Sequence, residues 1–183
     1  MSGYHHDTHT HSNVEVKFSP EAMKVVEKHL SKYPEGRQKS AILPLLHLAQ
    51  AELGGWLSVE VQDYIASILK IEPIEVYEVA TFYSQYYTSP VGKYVFEVCR
   101  TSPCWLRGSE EIVEYLENKL GIKDGQTTPD GMFTIKTVEC LAACGSAPVM
   151  QCGLKYHENL TPEKIDQIVD ESIKENKISR AWF

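Results

Sequence analysis

Two pairs of cysteines constrain this chain more than any other feature. Cys99-Arg-Thr-Ser-Pro-Cys104 encloses four residues, and Cys140-Leu-Ala-Ala-Cys144, after a long interval, encloses three. Each pair follows a strand-like run, Tyr94-Val95-Phe96-Glu97-Val98 before Cys99 and Phe133-Thr134-Ile135-Lys136-Thr137-Val138 before Cys140. Both runs are rich in the β-branched and aromatic residues that suit a pleated strand. If these strands lie side by side and parallel, their C-terminal ends present all four thiols at one sheet edge, where open α/β sheets place their ligands. Four thiolates converging on one point read as a metal or iron–sulfur site.

Spacing narrows the chemistry. Structural zinc knuckles take two to four residues between cysteines, so zinc stays open, although most zinc ribbons use the two-residue gap that is absent here. A thioredoxin-type redox pair needs Cys-x-x-Cys, and neither half has it. A 2Fe–2S cluster needs two thiolates per iron, which loops of this size supply, while the crowded first loop of a plant-type ferredoxin is missing. Iron–sulfur is favoured on these grounds and zinc comes next.

Composition removes other classes. The chain has 183 residues and a net charge of -7, with no Lys/Arg stripe, which argues against nucleic acid. No apolar run approaches the length that spans a bilayer. The N-terminus shows neither a secretory apolar core nor an Arg-rich transit pattern. Five cysteines without a secretion signal suit a reducing cytoplasm, where cofactor ligation is expected before disulfides.

Residues 1–17 form a polar tail in which His5, His6, His9 and His11 are expected to be solvated. Residues 18–90 have helical periodicity. Ser19-Pro20 starts a helix with Met23, Val26 and Leu30 on one face. A second runs from about Gln38 to Leu53 with Ile42, Leu45, Leu46 and Ala49 inward, its Pro44 tolerable only near the first turn or with a kink. A third begins at Ser58, and Pro73 opens a fourth. Four short helices with tight connections predict a small bundle. Residues 91–183 change period. A helix is expected from about Gly108 to Leu120, then the second strand, a hairpin turning at Gly153, and a final helix capped by Thr161-Pro162 with Ile165, Ile168, Val169 and Ile173 inward. The aromatic end Arg180-Ala181-Trp182-Phe183 is expected to be a frayed tail.

The order β-α-β-β-β-α matches a thioredoxin-like layer, and the motifs carry a resemblance. Cys99-Arg100-Thr101-Ser102-Pro103-Cys104-Trp105-Leu106-Arg107-Gly108-Ser109 and Val138-Glu139-Cys140-Leu141-Ala142-Ala143-Cys144-Gly145-Ser146-Ala147-Pro148 resemble the two cluster motifs of the thioredoxin-like 2Fe–2S subunit of NADH:quinone oxidoreductase, respiratory complex I. Val76-Tyr77-Glu78-Val79-Ala80-Thr81-Phe82-Tyr83 and Asn159-Leu160-Thr161 are also similar to that family, so the likeness runs from about Phe18 to Ile173. It implies an α+β chain, an N-terminal four-helix bundle followed by a thioredoxin-like 2Fe–2S domain. It implies one 2Fe–2S cluster ligated by Cys99, Cys104, Cys140 and Cys144. The same family includes subunits of NAD-linked hydrogenases and formate dehydrogenases.

A cluster of this kind carries a charge of about −2 when oxidised, and one electron adds another, so backbone N–H groups and positive potential are expected around it. Gly145 is expected to admit a close approach to sulfur, and the helix near Gly108 to turn its positive end that way. Arg100 and Arg107 flank the first loop, either raising the potential or solvated or paired with Glu110 and Glu111. Trp105 is expected to pack over the cluster, and Cys152 to be a structural thiol in a strand. No G-x-G-x-x-G or Walker-type loop is present. A one-electron centre accepts no hydride, so FMN and NADH are expected on a neighbouring flavoprotein subunit. The chain is thus expected to be an electron-transfer subunit without its own catalytic site, cytoplasmic and peripheral to the inner membrane through its complex. The helical part is expected to dock through aromatics left near the surface, Tyr33, Trp56, Tyr86 or Tyr87. A free-standing ferredoxin-like carrier and a zinc-stabilised interaction module are the other classes.

Overall fold

Strand β1 (Tyr94–Cys99) is the strand on which the cysteine-bearing half is assembled, and it pairs on both sides in a four-stranded sheet of order β2-β1-β3-β4. This computed structural model describes residues 16–176, and the histidines of the N-terminal tail and the C-terminal aromatic end lie outside them. The described residues divide in sequence between Pro90 and Val91 into two compact units. No helix among them is long and apolar enough to cross a membrane.

The first unit contains α1 (Pro20–Leu30), α2 (Ile42–Glu52), α3 (Val59–Leu69) and α4 (Pro73–Phe82) around one apolar core. Each start is written locally. The Ser19 and Ser58 hydroxyls accept the N–H groups of Ala22 and Val61, and Pro20 and Pro73 sit where a helix leaves its N–H unpaired anyway. The expected second helix divides into a 3-10 turn, Gln38–Ala41, and then α2. Starting α2 at Ile42 puts Pro44 in its first turn, where the missing N–H disrupts no hydrogen bond. Leu45, Leu46, Leu57, Ile65 and Val76 are fully buried. Buried Gln50 uses both ends of its amide, donating to Gln85 O at 3.0 Å and accepting from Tyr87 N at 2.8 Å, so the segment after α4 is fastened to α2. Tyr86, expected near the surface, is buried instead: its hydroxyl donates to Leu43 O at 3.0 Å. The exposed large apolar residues of this unit are Leu43, Ile74, Phe82 and Tyr83.

In the second unit β1 pairs parallel with β2 (Phe133–Val138), in the register Tyr94↔Phe133 through Cys99↔Val138. Parallel neighbours require a crossover, here α5 (Ser102–Leu106) and α6 (Ser109–Leu120). The hairpin β3 (Met150–Cys152) and β4 (Lys155–His157) pairs antiparallel on the other side of β1. Alternation along β1 sends Tyr94, Phe96 and Val98 into a core shared with Ile112 and Leu116 of α6 and Ile165 and Val169 of α7 (Pro162–Glu175). β2 is an edge strand, and its outer side is covered by a loop: Gly125 N donates to Ile135 O, and Ile135 N to Gln126 O. Gly92 is required by close approach, because a Cβ there would lie 2.7 Å from the Phe133 carbonyl carbon. Two differences from expectation stand out. Ile173 is 54% exposed, because the buried stripe of α7 runs Ile165, Val169, Ser172. The helix α5 is additional to the expected elements, as a five-residue helix around Cys104 is too short to show periodicity.

Candidate metal centre

β1 ends on Cys99, and β2 ends two residues before Cys140. The parallel register sets Cys99 opposite Val138, so both cysteine segments leave the sheet at the same edge, as the strand patterns predict. After Cys99 the chain turns into α5, whose first turn holds Pro103 and whose buried face is Cys104. Cys144 opens a 3-10 turn, Cys144–Ser146. Cys99 and Cys104 form a small apolar cluster with Ala147 and Val149, separate from the main core, with Leu141 and Ala143 packed against it. Both are 2% exposed under thin cover, while Cys140 and Cys144 are exposed.

The thiols come together as two pairs. Cys99 and Cys104 are in mutual hydrogen-bond reach, and so are Cys140 and Cys144. The pairs interact electrostatically, Cys144 with both Cys99 and Cys104. Among the described residues no three His, Cys, Asp or Glu side chains meet as a single metal ion requires. Two separate pairs of soft donors suit a two-iron core, which takes two thiolates at each iron.

Amide N–H groups serve these sulfurs. The Thr101 hydroxyl lies 3.3 Å from Cys99 Sγ, and the backbone N–H groups of Thr101 and, from the other loop, Leu141 favour its thiolate. Ala142 N donates to Cys140 Sγ at 3.3 Å. Burial pushes the Cys99 thiol up, but these donors outweigh it and the net displacement is downward. Cys104 is pushed up to about 11, by burial first and then by its hydrogen bond to Cys99. Cys144 is raised by its hydrogen bond to Cys140.

Three neighbours complete the surroundings. Arg100 pairs with Glu139 at 2.9 Å, not with Glu110 or Glu111. Because Arg100 follows Cys99 and Glu139 precedes Cys140, this exposed pair ties the two cysteine segments together. Trp105 is 52% exposed and donates its indole N–H to Glu110 at 2.7 Å. A Cβ on Gly145 would meet no atom within 4 Å beyond its own chain neighbours. Cys152, in β3 opposite Phe96, lies about 10 Å along the sheet from Cys99 and belongs to the main core.

Sequence reasoning misses Tyr156, whose hydroxyl donates to Leu141 O at 3.0 Å. Only the register of the β3–β4 hairpin could point to it. The loop it holds includes Ala142 at φ 58, a left-handed conformation that costs an L-residue about 1–2 kcal/mol.

A family model for the thioredoxin-like [2Fe-2S] ferredoxin matches residues 26–172. The chain is 43% identical over 164 residues to an NADH-quinone oxidoreductase subunit of Rickettsia typhi (strain ATCC VR-144 / Wilmington), covering 90% of this chain and 96% of that protein. It is 44% identical over 160 residues to NADH dehydrogenase [ubiquinone] flavoprotein 2, mitochondrial, of Dictyostelium discoideum, covering 87% of this chain and 64% of that protein. Among solved structures, an NAD+-reducing [NiFe]-hydrogenase in the air-oxidized state superposes with a TM-score of 0.66 at 18% identity, covering 78% of this chain and 24% of that chain, a likeness of fold alone.

Thiol accessibility gives a direct check on this geometry. In the reduced, metal-free protein, alkylation at mildly alkaline pH should modify Cys140 and Cys144 before Cys99, Cys104 and Cys152. Only thiolate reacts, so Cys104 modification should keep accelerating until the pH reaches about 11. Peptide mapping by mass spectrometry at several pH values reads both orders.

Proposed function

This chain belongs to the thioredoxin-like [2Fe-2S] ferredoxin family, and from that premise we propose that it is an electron-transfer subunit of an NADH:quinone oxidoreductase, holding one 2Fe–2S cluster on Cys99, Cys104, Cys140 and Cys144. The observation that carries this reading is the arrival of two thiol pairs at one sheet edge from adjacent parallel strands. When bound, such a cluster supplies a one-electron couple.

The chain's own residues do the rest. Cys99 and Cys104 furnish a shielded pair, and Cys140 and Cys144 an exposed one. The N–H groups of Thr101, Leu141 and Ala142 offset negative charge at the sulfurs. The exposed Arg100–Glu139 pair links the two cysteine segments at the surface. Exposure of the second pair supports electron exchange with a neighbouring protein, since one side of the site faces outward. Hydride chemistry belongs to a partner flavoprotein that carries FMN and takes NADH. Association with the membrane then comes through the assembled complex.

The helical unit, read as a four-helix docking bundle, supplies the anchor. Ile74 is 59% and Phe82 79% exposed, both on α4, and exposed aromatic and aliphatic side chains of this kind anchor interfaces. Of the aromatics expected from sequence, Tyr86 is buried, while Tyr33, Trp56 and Tyr87 stay partly exposed.

Serine substitutions should divide the cysteines four and one. Replacing Cys99, Cys104, Cys140 or Cys144 should abolish or severely destabilise the cluster, because a hard alkoxide replaces a soft thiolate. Cys152→Ser should keep full iron and sulfide content and lose about 1–3 kcal/mol of stability from a hydroxyl in an apolar core. Iron and acid-labile sulfide assays with chemical denaturation decide it. Cluster loss in Cys152→Ser with one of the other four dispensable would refute the ligand set.

Docking is tested separately in the full chain. Ile74→Ser with Phe82→Ser should leave the visible spectrum unchanged and weaken pull-down of the NADH-oxidising flavoprotein at least tenfold, about 1.4 kcal/mol. Undiminished capture would remove α4 from the interface.

A further inference from the structure

The second cysteine loop carries exposed thiols and little regular structure, yet one of its peptide planes is fixed from both sides. The Leu141–Ala142 peptide offers its carbonyl oxygen to the Tyr156 hydroxyl at 3.0 Å. Its N–H, at the opposite end of the same plane, donates to Cys140 Sγ at 3.3 Å. A trans peptide is rigid, so the direction of the carbonyl sets the direction of the N–H.

Local preference opposes this orientation. It holds Ala142 at φ 58, a region that alanine rarely occupies. Turning the plane over would bring Ala142 back toward negative φ and aim the carbonyl oxygen at sulfur instead of the N–H. The observed orientation therefore needs a holder, and Tyr156 is placed to be one. It stands on β4 in register with Gln151 of β3. The turn that follows grips the far end of the same loop: Asn159 N donates to Ser146 O at 2.7 Å, and Ser146 Oγ to Glu158 at 2.6 Å.

We propose that Tyr156 is a positioning residue for the cluster, holding the Leu141–Ala142 peptide so that its N–H points at Cys140 Sγ and raises the reduction potential. This rests on Cys140 being a ligand. The sign follows from charge. Reduction adds one negative charge to the site, and an N–H dipole aimed at a ligand sulfur stabilises the more negative state more strongly. The hydroxyl also polarises the peptide it binds, strengthening the N–H at its other end.

The test is a redox titration of the full-length, cluster-loaded protein, followed by electron paramagnetic resonance, in the wild type, Tyr156→Phe, Ala142→Gly and the double variant. Tyr156 is 47% exposed, so phenylalanine keeps the ring while removing only the hydroxyl. Tyr156→Phe should retain iron and sulfide and shift the midpoint potential downward. Ala142→Gly alone should leave it unchanged, since glycine accepts positive φ without strain. The double variant should return toward the wild type, because glycine removes the drive to turn the plane over. Hydrogen exchange of the Ala142 amide in the metal-free chain is the second readout, and it should quicken in Tyr156→Phe. An unchanged potential in Tyr156→Phe would overturn the proposal whatever the exchange, as would a downward shift that Ala142→Gly fails to reverse. A normal cluster in Cys140→Ser would instead remove the ligand reading on which it stands.

Discussion

Everything at the metal centre depends on the parallel pairing of β1 with β2 in one register. Cys99 lies opposite Val138, and Cys140 follows two residues later, so the sheet itself delivers both cysteine segments to one edge. The register is held by what lies beneath. Phe133 packs against both Phe96 and Tyr94, with ring centroids 5.4 and 5.8 Å apart, in a core that also takes Ile135, Met150 and the inner faces of α6 and α7. A one-residue slip would turn Thr134 and Lys136 of β2 into that core and expose its apolar residues. The same slip would carry Cys140 away from Cys99. Apolar packing and cofactor geometry are thus a single constraint.

The two cysteine pairs are unequal for a reason visible in how the chain leaves each strand. After β1 it enters α5 at once, and a helical turn folds Cys104 back against Cys99 beneath Val149. After β2 it enters a loop with only a 3-10 turn, so Cys140 and Cys144 stay near water. Exposed loops of this kind need fastening, and here it comes from distant sequence. Glu139 is tied to Arg100, Leu141 to Tyr156, and Ser146 to Glu158 and Asn159. One pair is thereby shielded while the other faces outward.

Much of this is legible in the chain. Ser19-Pro20, Ser58, Pro73 and Thr161-Pro162 mark helix starts through local chemistry, and each stands where a helix begins. The strands before the cysteines, and their parallel order, follow from composition and from the crossover between them. What escapes is tertiary. The side chain of Tyr86 turns inward because Leu43 O lies within its reach across the helices, a contact 43 residues apart that periodicity does not encode. The hold of the Trp105 indole N–H on Glu110 is likewise not encoded by periodicity. Proximity in sequence pairs Arg100 with Glu110 or Glu111, whereas the parallel register brings Glu139 closer. The hold of Tyr156 on Leu141 needs the hairpin register as well. Local signals specify the elements, and the sheet decides which side chains meet at the site.

The central claim is that two thiol pairs hold two irons, and X-ray absorption at the metal edge tests it most directly. Protein purified without oxygen should give an iron edge with a first shell of four sulfurs and a second shell of a single iron neighbour. A zinc edge with four sulfurs and no metal neighbour would contradict it, and would make the centre a structural knuckle rather than an electron carrier.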